Sequence, residues 1–298
     1  MSSFTDYTGI LIGLLFVIIA FLSSMKHGVV KMLASGTAAA LALVVFYAGL
    51  NLLPPLAKTL LDIDLTWKIS AGLSAGLAFP VYVISLIILG FVFKSLFNPD
   101  SWFHEYVDGV PGGILSLFPS AVVLFFLFNC IRVAGTVHEL NYIHSLSRDG
   151  ISEMGGHIPP YPLSSAWRNG IESLPFVAPA LDLIDPFSHR GNRNAAALTL
   201  ASSSNFLKPY LLTRPETAAL VGMPVWEQLS TRPGVAKAMQ ELDRLALVID
   251  PALKAAAADP MISGDLSRLV LRPAVDAFVA SNEPIPEPVV PELPDTTL

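Results

Sequence analysis

The sequence predicts an all-α protein in two parts. A four-helix integral membrane domain comes first. An extramembrane, mostly α-helical domain follows, and a disordered tail rich in Pro and Glu ends the chain. Three observations predict this. Of 298 residues, 53% are hydrophobic and 14% charged, with mean hydropathy +0.58, where soluble domains carry roughly 25% charged residues. Four apolar runs, each near the roughly 20 residues that cross a hydrocarbon core, fall in the first 135 positions. Beyond them polar residues rise, and prolines punctuate short apolar stretches.

The runs cover residues 8–24, 32–53, 69–93 and 112–130, and none contains Asp, Glu, Lys, Arg or His. Residues 1–7 carry no Lys or Arg, and residues 23–26 offer no small-residue cleavage site, so the first run reads as a retained span. Trp67 and Trp102 precede the third and fourth spans, where interfacial aromatics belong. Between the first two spans lies a short cationic turn with Lys26, Gly28 and Lys31. The positive-inside rule puts that turn in the cytoplasm and the N-terminus outside. Lys58 and Lys68 in the second loop pull the other way. Weighting the first span most gives an N-out, C-out topology.

Small residues recur four apart: Gly9 and Gly13, Gly72 and Gly76, Gly109 and Gly113. Such pairs let helix backbones approach closely in lipid. Packing within one chain and self-association are both open. Pro80 and Pro119 are expected to kink the third and fourth spans. Residues 98–111 mix Trp102, Phe103 and Tyr106 with Asp100, His104, Glu105 and Asp108. An interfacial amphipathic helix and a loop with aromatic anchors fit that stretch equally. Asn129 and Arg132 are the polar residues nearest to membrane depth, and Arg132 is expected to snorkel to the interface.

In the first 135 residues, three features resemble the CvpA family, the bacterial colicin V production proteins. They are Asp6 before the first span, the Lys26-His27-Gly28-Val29-Val30-Lys31 turn, and Glu105, Gly109 and Gly113 before the fourth span. His27 stands where arginine is usual, Glu105 where Asp is commoner, and Pro111 interrupts the glycine segment. The resemblance implies four spans in the bacterial inner membrane. It also implies support of toxin production or export, or of cell-envelope integrity.

Residues 136–209 read as an irregular Gly/Pro-rich linker region with short helices. Residues 210–280 read as an array of short helices. Arg214-Pro215, Arg232-Pro233, Asp250-Pro251 and Arg272-Pro273 each open an apolar stretch there, and proline suits a first helical turn. Residues 281–298 hold five prolines, four acidic residues and no basic one, as a disordered tail does.

No nucleophile elbow, H-E-x-x-H, P-loop or dinucleotide fingerprint occurs. The protein is therefore expected to be non-enzymatic and without cofactor or metal. His138, Glu139, His144 and Asp149 read as surface or interface residues, and Ser152, Ser164 and Ser165 as having no base. The single Cys130 permits no disulfide within the chain. The net charge of -6 and pI of about 5.5 argue against nucleic acid. The expected partners are the lipid bilayer, other membrane or envelope proteins and a second copy of the chain. An oligomeric channel or transporter subunit is the alternative, and a membrane-tethered hydrolase a remote one.

Overall fold

The computed structural model describes residues 8, 10, 11, 13–15, 18, 19, 22, 29–62, 65–96, 110–148, 160–175, 177–182 and 189–282. Every regular element among them is an α-helix. Three are long: α1 (Val29–Leu61), α2 (Trp67–Leu96) and α3 (Val110–Arg148). Stretches of all three, Leu33–Leu61, Trp67–Leu96 and Ser120–Ser147, are long and apolar enough to cross a membrane. Their large apolar side chains point outward: on α2 alone Phe79, Ile87 and Phe91 are 69%, 68% and 76% exposed. Water would not tolerate so continuous an apolar surface, and lipid would. The chain is thus compatible with a multi-pass membrane protein.

The α1–α2 connection is tight. Asp62, with φ of 53°, ends α1 in the left-handed region, which Asp tolerates better than most residues. The two helices meet closely at Gly49, where an added Cβ would stand 2.6 Å from the Ser74 hydroxyl and 3.0 Å from its Cβ. Ile10 and Gly13 of the N-terminal apolar run pack against α3, where a Cβ on Gly13 would meet Leu124 and Phe128 at 3.0 Å. Among the described residues, a Cβ on Gly72 or Gly76 would meet nothing within 4 Å, and both sit on an exposed face of α2. The close α1–α2 approach is made at Gly49 and Ser74.

The boundary expected near residue 135 does not exist as a break in structure. Helix α3 runs 39 residues, about 58 Å at 1.5 Å per residue and nearly twice a hydrocarbon core. Its first half exposes Ile114, Phe118 and Leu127, whereas in its second half Leu140, Ile143 and Leu146 are fully buried. That second half is part of the core of the following domain. One helix therefore serves both halves of the molecule.

The domain comprises α4 (Leu163–Glu172), α5 (Val177–Asp182), α6 (Arg190–Ser202), α7 (Leu207–Leu212), α8 (Pro215–Val221), α9 (Val225–Ser230), α10 (Pro233–Gln240), α11 (Arg244–Ile249), α12 (Pro251–Ala257), α13 (Ser263–Arg268) and α14 (Arg272–Asn282). Its hub is α6, which lies inside the stretch read as an irregular linker. Ala195, Ala196, Ala197, Leu198, Leu200 and Ala201 are all buried to within 1%. Small side chains let α7, α8, α9, α11, α12 and α13 crowd around it. A helix buried on every face has no polar side, so it lacks the periodicity that marks an amphipathic helix.

The proline-opened helices form as expected. Pro215, Pro233 and Pro251 each occupy the start of a helix, and Arg272-Pro273 opens α14. Asp250 caps α12 through Oδ1, which accepts from the amides of Ala252 at 2.8 Å and Leu253 at 3.3 Å. Between these units lie α9, α11 and α13. Of the tail expected over 281–298, Ser281 and Asn282 end α14 and residues 283–298 lie outside the described residues, as does most of the 98–111 segment.

Candidate functional site: buried ion pairs joining α3 to the helical domain

The second half of α3 presents Arg132, Thr136 and Glu139 on one face, at spacings of four and three. All three are buried. Against this face lies α4, which comes close because residue 135 is glycine. A Cβ there would stand 2.7 Å from the Ser164 carbonyl oxygen and 2.8 Å from the Arg168 Cβ. The Ser165 hydroxyl uses the same proximity, donating to the Gly135 carbonyl at 2.8 Å.

Arg132 neither snorkels to an interface nor lines a pore. It is 1% exposed; Nε donates to Glu172 Oε1 at 3.2 Å and Nη2 to Asp182 Oδ1 at 2.5 Å. Glu172, at the end of α4, also takes both arms of Arg193 from α6, at 2.8 and 3.0 Å. Glu139 pairs with Arg168 at 2.7 Å and accepts the Tyr161 hydroxyl at 3.1 Å. Arg272 lies over the Tyr161 ring, 4.5 Å from its centroid. Three buried arginines and their carboxylates thus tie α3, α4, α5 and α6 together. Glu139 is accordingly a buried ion-pair partner and no surface residue.

Burial alone would push the Glu172 carboxyl up, but Arg193, Arg168 and Arg132 outweigh it and hold it below the usual carboxylate range. Burial and then the Glu139 charge push the Tyr161 phenol above its usual range, against the opposing pull of Arg168, Asn169 and Arg272. Arg168 stays charged: burial opposes its proton, and Glu139 and Glu172 more than restore it.

A second set of contacts links the domain to the other membrane helices. Trp67, the first residue of α2, donates its indole N–H to both Asp243 oxygens at 2.8 and 3.0 Å, and Lys68 pairs with Asp243 at 2.9 Å. Asp243 also caps α11, accepting from the Ala246 amide at 3.0 Å. At the N-terminal end, Trp167 donates to the Thr8 hydroxyl at 2.7 Å.

Of the residues singled out from the sequence, Asp6, Gly9, Lys26, Gly28, Glu105, Gly109, Asp149 and Ser152 lie outside the described residues. Lys31 falls in α1 and Gly113 in α3. Asn129 is fully buried one turn before Arg132, with no hydrogen-bond partner for its amide. Ser164 does have an imidazole beside it: its hydroxyl lies 2.6 Å from His138 Nδ1. His138 is exposed, and among the described residues no carboxylate contact orients its ring, so the pair stands there without a third member. Also among the described residues, no three His, Cys, Asp or Glu side chains gather as a metal site.

Sequence reasoning missed Gly49, Gly135, Glu172, Asp182 and Arg193. The signal available in the sequence is that 168–193 holds three arginines and no lysine. Comparison with protein-family models, curated proteins and solved structures returns no match.

Proposed function

We propose that the chain is a bacterial inner-membrane protein of four spans that carries its helical domain as a rigid extension of the bundle and works through protein contacts in the envelope. The observation that carries this reading is the sharing of α3, lipid-facing over its first half and domain core over its second. A domain built to act independently would sit on a flexible linker. Here it is joined by a continuous helix and by buried ion pairs. It is further held by Trp67 and Lys68 on Asp243.

The contacts of Thr8 and Trp67 with the domain support an even number of crossings, with the N-terminus and the domain on one side. The lysines of the 26–31 turn then place that side outside the cytoplasm. The role in toxin production or envelope integrity rests on the Asp6, Lys26–Lys31 and Glu105–Gly113 resemblance alone.

The test is complementation of a deletion strain. Full-length protein restores the envelope phenotype, and a chain ending after residue 148, shown to insert, does not. Full restoration by the truncated chain would sink the reading.

A further inference from the structure

We propose that the cavity between α4, α6 and residues 269–273 is a binding site for an organic phosphate, with Arg190 as its principal anchor. The cavity measures about 430 Å³, within the roughly 300–1,000 Å³ of small-molecule sites and larger than a bare ion requires. Arg168, Arg190, Arg193 and Arg272 reach it, with Glu139, Glu172 and Asp276.

The carboxylates are already engaged. Glu139 is held by Arg168 and Tyr161, Glu172 by Arg193 and Arg132, and Asp276 pairs with Arg272 at 3.5 Å. Counting Arg132 and Asp182 behind them, five guanidinium groups face four carboxylates among the described residues. Arg190 is the cation left over, since it forms no ion pair among the described residues.

The hydrogen-bond inventory points the same way. The Nε atoms of Arg168, Arg190 and Arg193 are all buried without an acceptor. Arg168 and Arg193 are themselves more than nine-tenths buried. Glu139 Oε2 stands 3.9 Å from Arg193 Nε, beyond hydrogen-bond reach. No fully buried Glu, Asp or Asn oxygen lining the cavity is short of a donor. The deficit among the buried groups is therefore of acceptors. A phosphate group supplies several, and planar guanidinium forks suit it.

Arg190 and Arg193 also stand in the first turn of α6. Its N-cap residue, His189, makes no side-chain capping bond, so the helix start adds partial positive charge. Burial, followed by repulsion from Arg193, holds the Arg190 guanidinium below the usual arginine range. An anion beside it relieves both effects. Leu269, Val270, Leu271 and Pro273 give the cavity an apolar wall for the organic part of the ligand.

The full chain, purified in dodecyl maltoside, is titrated calorimetrically with sodium phosphate and with glycerol 3-phosphate, against sodium chloride at matched ionic strength. Glycerol 3-phosphate is expected to bind, and Arg190→Gln to weaken it by about tenfold or more, the loss of one charge-assisted contact. Arg190→Lys, which keeps the charge, falls between. Adding phosphatidylglycerol to the micelles separates the sources: suppressed binding assigns the site to a lipid headgroup, and unchanged binding to a soluble phosphate compound. No heat above the chloride control, or equal affinity in a folded Arg190→Gln variant, overturns the proposal. Because Arg190 forms no ion pair among the described residues, that variant is expected to keep the wild-type melting temperature. Neither outcome depends on the complementation result.

Discussion

Arg132 and Glu172 are 40 residues apart in the chain and 3.2 Å apart in the fold, Nε to Oε1. Arg132 belongs to the helix that leaves the membrane bundle, and Glu172 to the end of the first helix packed against it. Because Glu172 also binds Arg193, one carboxylate fastens the hub helix of the domain to the bundle. Such a pair contributes little over an apolar substitute, yet removing one member strands the others in low dielectric.

Glu172→Gln should therefore be costly. It leaves Arg132 and Arg193 buried with one carboxylate fewer, a loss of about 3–5 kcal/mol. Thermal unfolding of the purified protein in micelles reads it. A variant unfolding within a degree of wild type would show the network to be dispensable.

The same residue sets an acid limit. Its carboxyl is held below the usual range when folded, so its contribution is fully present above the unfolded value of about 4.3. It is lost as pH falls through the folded value. Stability should be unaffected by this group between pH 7 and 5 and should decline below about pH 4. Glu172→Gln flattens that decline. Melting temperatures across a pH series check the sign: a Glu172-dependent loss between pH 7 and 5 would contradict it.

What could be read in advance follows from where the information lies. The long apolar helices announce themselves by composition, and Pro215, Pro233 and Pro251 mark helix starts by a local rule of backbone chemistry. Arg132 looked like a residue at the edge of a membrane span because its partners lie on α4 and α5, and nothing in its own neighbourhood names them. Helix α6 was invisible for the opposite reason, as burial on all sides erases amphipathic spacing. Gly72 and Gly76 show that a spacing can satisfy a packing motif while facing open space. Gly49, isolated in sequence, makes the close contact with Ser74.

Two glycines give opposite expectations under one substitution. Gly135→Ala puts a Cβ 2.7 Å from a backbone oxygen of α4, which must move, at a cost of about 1–3 kcal/mol. It should also disturb the Arg168–Glu139 pair. Gly72→Ala meets nothing and gains helix propensity, up to about 1 kcal/mol. Melting temperatures of the two variants should move in opposite directions. If Gly72→Ala instead dissociates an oligomer on size exclusion, the outward face of α2 is a contact between copies.

Asp243 joins two tasks, capping α11 and receiving Trp67 and Lys68 from the start of α2. Burial alone would raise its carboxyl, and the Ala246 amide, Lys68 and Trp67 together hold it below the usual range. Asp243→Ala removes the cap, worth about 0.5–2 kcal/mol, along with the polar contacts that Trp67 and Lys68 of α2 make with the domain at this residue. Asp243→Asn keeps a capping oxygen and loses the charge facing Lys68. If the cap dominates, Asn restores most of the stability lost in Ala. If the bond to α2 dominates, both variants speed hydrogen exchange at the start of α2 as well as in α11. Exchange confined to α11 in Asp243→Ala would show that the α2 contact does not help hold the domain on the bundle.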